Sequence, residues 1–286
     1  MTSSPYFSIV IPTLNEENYL PDLLQDLVDQ SLTDFEVIHV DGNSEDKTVI
    51  KAKKFFSKLK IKIKVVKKRN VSFQRNTGAK VARGEWIIFM DADNRLPSYF
   101  LEGVQYAITK FGDFDVFTTW VKPDKQSSAA KTIINTINIT VELFAKTKTP
   151  FIFGSLIGVK KNVLKVVSFN EEQKVVEDAI FAKDAVKNKF KLRVLREPRY
   201  TYSLRRIRKE GMLKMVKTSS IFTLRYLQGK DFKKTNFGYN MKGGSYYDKE
   251  DKPKLLVNLF DSIKTASIKQ RQQAKKLIES LKELEL

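Results

Sequence analysis

The chain contains no cysteine and a single histidine, His39, among its 286 residues. Disulfides and thiolate zinc sites are therefore excluded, histidine-rich metal clusters cannot form, and acid–base chemistry falls to carboxylates. Long apolar runs are also missing. No stretch approaches the ~20 residues that cross a bilayer, and the opening "MTSSPYFSIVIPTLNEE" lacks a basic segment followed by a long apolar core. The expectation is a soluble cytoplasmic protein. Acidic residues are scarce beside basic ones, 33 against 52, for a formal charge of +19. That excess attracts polyanions such as nucleoside diphosphates, anionic lipid headgroups or nucleic acid, and lysines that merely solubilise a surface produce the same total. Hydrophobic residues make up 42%, enough for one large domain or one domain with appendages.

The first ninety residues alternate between two periods. "YFSIVIP" is a short apolar run ended by proline, and Leu20, Leu23, Leu24, Leu27 and Val28 then recur at helical spacing. "FEVIHVDGNSED" repeats the strand and turn ahead of a basic helix. In "LKIKIKVVKKR", Leu59, Ile61, Ile63 and Val65 alternate with lysines, as in a strand with one solvated face. "VSFQRNTGAKVARG" reads as a helix closed by Gly84, with Asn15 and Glu16 likewise read as opening the first helix. "EWIIFM" suits a central strand buried on both faces. Four strands separated by helices predict a parallel sheet with right-handed crossovers, and ligands of such sheets bind beyond the carboxyl ends of the strands. Pro12-Thr13, Asp41-Gly42 and Asp91-Ala92-Asp93 each follow a predicted strand, so three polar turns should converge on one edge. Further on, a helix over 98–111, a strand over 114–121, a helix over 127–148 and a strand interrupted at Gly154-Ser155 are expected. A helix over 171–190 with Ala179, Ala182, Ala185 and Val186 inward, and an extended segment to Arg206, follow.

Asp91 and Asp93, one residue apart at the end of a buried strand, repel each other unless a cation lies beside them. Hard oxygen ligands favour Mg²⁺ or Mn²⁺, which completes its shell with waters and substrate phosphates. By itself Asp-x-Asp also suits a polar turn capping the next helix. Asp41 at a neighbouring strand end can accept hydrogen bonds from a base or ribose or simply form its turn, and Arg75 can reach phosphates or sit on the surface. The grouping of three such turns with one arginine is what favours a binding site.

Taken in order, "FSIVIPTLNEENYLPDLLQDLVDQSLTDFEVIHVDGNSEDKT", "QRNTGAKVARGEWIIFMDADNRLP" and "VVEDAIFAKDAVKNKFKL" resemble the family 2 glycosyltransferases, over roughly residues 5 to 205. The resemblance implies a GT-A fold, a Rossmann-like, mostly parallel α/β sheet flanked by helices, here with a helical C-terminal extension. It implies an inverting, metal-dependent transfer of a sugar from a UDP- or GDP-sugar to a glycan or lipid-linked acceptor. Pro12, Thr13, Asn15, Glu16, Asp41 and Arg75 would then surround the nucleoside, and Asp91 would approach the ribose and diphosphate. Asp93, with Asp91, would hold Mn²⁺ or Mg²⁺, and Asp178 would be the catalytic base. Glu177 beside it should point elsewhere, because adjacent helical residues do not share a face. Arg205, Arg206 and Arg208 are candidates to close over the diphosphate, with Arg206 assigned to the donor site.

The sequence departs from the family pattern in places. "VDGNSED" leaves Asp41 to serve alone where many relatives carry two acids, and "SLRRIRKEG" lacks the Gln/Arg/Trp motif of processive synthases, which favours single additions. The expected organisation is a catalytic domain over 1–206, divided near residue 97 into nucleotide-binding and acceptor halves, and a helical extension over 207–286 with a flexible loop near 230–253. "MLKMVKTSSIFTLRYL" and "KLLVNLFDSIKTASIK" mix apolar residues with lysines, as peripheral membrane helices do, which makes contact with an anionic membrane a second expectation. A nucleic-acid-binding protein is the rival class, on the strength of the charge and "KKFFSKLKIKIKVVKKR"; the acidic turns and the lack of a recognised motif argue against it. A relative that binds sugar nucleotides without turning them over is the third reading.

Overall fold

A computed structural model describes residues 4–234 and 243–248. Seven strands form one mixed sheet. Phe7–Thr13 (β1), Phe35–Asp41 (β2) and Trp86–Met90 (β4) are buried at every position, as their near-continuous apolar sequences require. Ile61–Val65 (β3) lies at one edge with its lysines in solvent, and Val116–Pro123 (β5), Leu156–Lys160 (β6) and Leu192–Tyr202 (β7) complete the order β3-β2-β1-β4-β6-β5-β7. β1 is parallel to β2 and β4, and β2 to β3, as the alternation of periods predicts. β6 runs antiparallel to both β4 and β5.

The helices are Leu20–Val28 (α1), Thr48–Lys53 (α2), Val71–Val81 (α3), Phe100–Phe111 (α4), Ser128–Ala145 (α5), Glu177–Lys187 (α6), Arg205–Glu210 (α7), Met212–Leu227 (α8) and Gly244–Asp248 (α9). Alternation along the strands divides the core between the two faces. Ile9, Ile11, Ile88 and Met90 pack with Leu20, Leu23 and Leu24 of α1 and with Phe100, Leu101 and Val104 of α4. Val10, Ile87 and Phe89 face the other way, against Phe169 and against Phe181, Ala182 and Ala185 of α6. Each of these Val, Leu, Ile, Phe and Met side chains, once fully buried, contributes about 1.5–3 kcal/mol. A third cluster, Val175, Ala179, Tyr226 and Phe232, ties α8 to α6. There the Tyr226 hydroxyl donates to the carbonyls of Pro150 and Ala179 at 2.8 and 3.1 Å.

Several boundaries differ from expectation. α6 begins at Glu177 rather than near 171, because Val176 takes a left-handed φ of 62° that no continuing helix accommodates. Phe181 occupies the inward stripe, and Val186 is only half-buried. α3 ends at Val81, short of Gly84. Asn15 and Glu16 do not open α1, which starts at Leu20; they form the preceding turn, where Asn15 has a φ of 54°. Residues 243–248, inside the expected flexible loop, include the helix α9. The second amphipathic segment, 254–269, lies outside the described residues.

Candidate active site

Strand register brings the polar turns together. Thr13 pairs with Asp41, so β1 and β2 end level, and Gly42 N–H donates to the Thr13 carbonyl at 2.8 Å. Gln74 of α3 stitches the same ends through its side-chain amide, which donates to the carbonyls of Thr13 and Val40, both at 2.8 Å. Antiparallel pairing of Met90 with Leu156 delivers Gly154 and Ser155 beside the acidic turn, where Asp91 N–H and the Asn94 amide both donate to the Ser155 carbonyl. A cavity of about 430 Å³ opens here, lined by Pro12, Thr13, Glu16, Gln74, Asp91 and Asp93, with Arg205 and Arg206 also on its wall. A larger cleft of about 910 Å³, between α4 and β7 around Tyr106, Phe111 and Leu195, carries none of the strand-end carboxylates, so the chemistry belongs to the smaller one.

Four expected residues, Asp41, Asn15, Arg75 and Asp178, are set back from the cavity lining. Asp41 is fully buried and accepts from Thr13 Oγ1, Ser44 N–H and Ser44 Oγ at 2.6–2.8 Å. Asn15 turns away to accept from Glu45 N–H. Arg75 is buried and holds a three-way junction. Its guanidinium donates to the Gly154 carbonyl at 2.8 Å and to Glu177 at 3.0 Å, with Asp91 at 3.4 Å. Beyond that junction Asp178 packs on Gly154, where a Cβ would stand 2.3 Å from Asp178 Oδ2, so only glycine admits the carboxyl. His39 is fully buried beside Thr13 Oγ1 at 2.7 Å, and burial lowers its pKa to about 4.

Two charged groups at this centre differ from expectation: Glu177, expected to point elsewhere, and Arg205, a candidate for the diphosphate whose neighbour Arg206 is the one assigned to the donor site. Glu177 faces inward and pairs with Arg75. Arg205, rather than its neighbour Arg206, bridges the carboxylates, meeting Glu16 at 2.7 Å and Asp93 at 2.9 Å. Burial opposes its charge, yet Asp93 and Glu16 outweigh that and hold its pKa above the usual range. Arg206 pairs instead with Glu210 at 3.5 Å. In each case two adjacent residues carry charge, and only the helix start decides which one turns inward.

The balance is negative. Glu16, Asp91, Asp93, Glu177 and Asp178 face Arg75 and Arg205. Desolvation, reinforced by neighbouring carboxylates, raises the pKa of Glu16 to about 8, Asp91 to about 6 and Asp178 to about 7, and Asp93 shifts the same way. Such shifts report charge without sufficient compensation, which a divalent cation relieves. Among the described residues no three acidic or histidine side chains close on one point. The acidic turn thus offers two carboxylates, Asp91 and Asp93, whose oxygen chemistry suits Mg²⁺ or Mn²⁺ only if waters and phosphate complete the shell.

The sequence model of "Glycosyl transferase family 2" matches residues 8–168. The minor teichoic acid biosynthesis protein GgaB of Bacillus subtilis (strain 168) is 27% identical over 212 residues, 72% of this chain and 23% of that protein. The poly(ribitol-phosphate) beta-N-acetylglucosaminyltransferase TarS of Staphylococcus aureus (strain MW2) is 28% identical over 206 residues, 70% of this chain and 36% of that protein. The chain thus spans between about a quarter and a third of the length of these curated relatives. The crystal structure of S. aureus TarS 1–349 with UDP-GlcNAc superposes with a TM-score of 0.55 at 26% identity, covering 69% of this chain and 58% of that one. A mannosyltransferase from Pyrobaculum calidifontis, solved with GDP-Man and Mn²⁺, reaches 0.63 over 98% of this chain and 80% of its own; at 18% identity it speaks for the fold alone. With its seven-stranded sheet, its acidic strand-end turn and a family match over more than half its length, this chain belongs to the family 2 glycosyltransferases.

Proposed function

We propose that this chain transfers a sugar, with inversion, from a nucleotide-diphosphate donor to an acceptor hydroxyl, with Asp178 as general base. The observation that carries the reading is the arrangement of Asp91 and Asp93 on the cavity wall, with Asp178 across the Arg75–Glu177 junction and its pKa raised to about 7. A base with that pKa is largely ionised at pH 7.5 and still strong enough to take a hydroxyl proton. Attack from the side opposite the leaving nucleotide inverts the anomeric centre, and a single carboxylate suffices for it. Asp91 and Asp93 would hold Mn²⁺ or Mg²⁺, which when bound would supply positive charge at the donor diphosphate. Arg75 fixes Asp91 and the Gly154 carbonyl. Pro12, Thr13 and Gln74 form the nucleoside end, and Arg206 adds positive charge on the wall.

Relatives named for poly(ribitol-phosphate) and UDP-GlcNAc favour a UDP-sugar over a GDP-sugar and an acceptor that is a glycan or anionic polymer, free or lipid-linked, which the +19 charge suits. A thermal-shift panel of UDP- and GDP-sugars with and without Mn²⁺ tests the donor, because a ligand bound only by the native state raises its melting temperature. A metal-dependent rise with one donor is expected, and no rise with any donor would refute the reading.

Peripheral membrane contact is a second proposal, with the protein on the cytoplasmic face. None of the described helices is long and apolar enough to cross a membrane. α8 nevertheless exposes Val216, Ile221, Leu224 and Leu227 alongside Lys214 and Lys217. The division into a catalytic domain to residue 206 and an extension beyond it is proposed in the same sense.

A further inference from the structure

One side of the cavity is built by a segment whose composition, Gly-Gly-Ser-Tyr-Tyr-Asp, reads as a mobile turn. Gly243 and Tyr247 line the space that Asp91 and Asp93 also line. The segment docks on the turn after β1 through backbone groups: Gly244 N–H donates to the Leu14 carbonyl and Ser245 N–H to the Asn15 carbonyl, both at 2.9 Å. The Asn18 amide secures the far end by donating to Asp248 at 3.0 Å. Both glycines are demanded by this fit. Gly243 has a φ of 82°, and a Cβ on Gly244 would stand 2.2 Å from Glu16 Oε2 and 2.7 Å from the Asn15 carbonyl. Leu14 directly follows Thr13, so the segment is zipped to the strand end that forms the nucleoside side of the cavity.

Arg205 joins this strap to the acidic centre. Its guanidinium meets Glu16 at 2.7 Å and Asp93 at 2.9 Å, stands 3.9 Å from Asp248, and rests on the Tyr19 ring at 4.2 Å. One planar group thus touches the strand-end acid, the turn beneath the strap and the strap itself. We propose that Gly243–Asp248 is part of the donor-binding surface for a nucleotide-diphosphate sugar, with Arg205 as the positioning residue that couples strap docking to Asp93. The inference rests on the donor reading above. Tyr247 and Gly243 supply this side of the cavity wall, and water that a wall displaces strengthens the electrostatics within.

The test combines calorimetric titration of UDP and GDP, each with Mn²⁺, with donor kinetics and hydrogen exchange at the Gly244 and Ser245 amides, all on the full chain. Nucleotide should increase protection of both amides in the unaltered protein. Gly244→Ala, which unseats the strap, should bind nucleotide about tenfold more weakly, the equivalent of one or two lost backbone hydrogen bonds, and raise the donor KM more than it lowers kcat. Tyr247→Ala keeps the backbone bonds and should weaken binding without altering protection. Arg205→Lys keeps the charge but loses the fork, and should both lower strap protection and raise the donor KM more than it lowers kcat, whereas a purely structural contact would lower protection and leave the donor KM unmoved. Binding by Gly244→Ala and Tyr247→Ala as tight as that of the unaltered chain would overturn the strap alone, and unchanged protection or an unmoved donor KM in Arg205→Lys would overturn the coupling. Failure of the unaltered chain to bind either nucleotide would take down the donor reading and this inference with it.

Discussion

Replacing Asp178 by asparagine should remove activity while stabilising the protein, by an amount that is nil near pH 4, grows as pH rises and is complete above about pH 7. Asparagine matches the carboxyl in volume against Gly154 and keeps the bond that Asp178 Oδ1 accepts from Ala179 N–H at 2.8 Å. What it removes is a charge that the site opposes, first by burial and then by Glu177, so that the pKa rises from 3.8 to about 7. An acid whose folded-state pKa exceeds its unfolded value binds its proton more tightly when folded. Its ionisation therefore costs no stability below the unfolded pKa and the full penalty above the folded one. A difference of about three units at 1.36 kcal/mol each sets an upper bound of about 4 kcal/mol, and partial access of water to the half-buried side chain reduces this to about 1–2 kcal/mol. Calorimetry should then show Asp178→Asn melting about 2–8 °C higher than the unaltered chain at pH 8.5, with the two curves coincident near pH 4. In parallel, glycosyl transfer should fall by about 10²–10⁴-fold. The unaltered enzyme, needing the ionised base, should gain kcat/KM with pH up to about 7 and level off above it. A lower melting temperature for the variant at pH 8.5, or undiminished turnover, would refute the reasoning.

Glu177→Gln should lower the pKa of Asp178 and of Asp91, since the lost charge raised both and Arg75 is left free to favour them. The rising limb of the kcat/KM profile should then move acidward by on the order of one unit, and an unmoved limb would deny the coupling. Asp93→Asn should weaken Mn²⁺ binding at least about tenfold, read by electron paramagnetic resonance without any turnover; unchanged affinity would place the ion elsewhere. Vesicles containing anionic lipid should sediment the protein at low salt and release it at high salt, and Leu224→Glu should reduce the bound fraction. No sedimentation at low salt removes the membrane proposal.

The parallel half of the sheet was legible because its strands are short, almost wholly apolar and each closed by a polar turn, so that period and punctuation agree. The acidic pair was legible for the same reason: Trp86–Met90 can only be a buried strand, and Asp91 must stand at its end. What the sequence withheld were choices between neighbours. Glu177 or Asp178, Arg205 or Arg206, depends on where a helix begins. The left-handed turn at Val176 and the short segment between β7 and α7 set those starts through tertiary packing rather than through propensity. The strap shows the same limit from the other side. Glycines that read as flexibility are there because Leu14, Asn15 and Glu16 leave no room for a Cβ. Asp41 stands behind the cavity wall with its carboxyl bonded to Thr13 and Ser44, and in sequence a strand-end acid that builds its own turn cannot be told from one that faces a ligand.

The placement of Asp91 and Asp93 explains why the site cannot relax its excess negative charge by moving them apart. Ala92 between them is buried, and Asp91 N–H is fixed to the Ser155 carbonyl at 2.9 Å, so the backbone cannot swing the two carboxyls apart. Protonation offers one escape, visible in the raised pKa values, but it removes the charge that a diphosphate-bound metal needs. Arg205 offers another, taking Asp93 while Asp91 remains open to the cavity beside Arg75 at 3.4 Å. Neither escape compensates all five acids. A strand that presents like charges on a frame too rigid to separate them has raised its own free energy, and whatever brings positive charge into the cavity recovers that energy as binding.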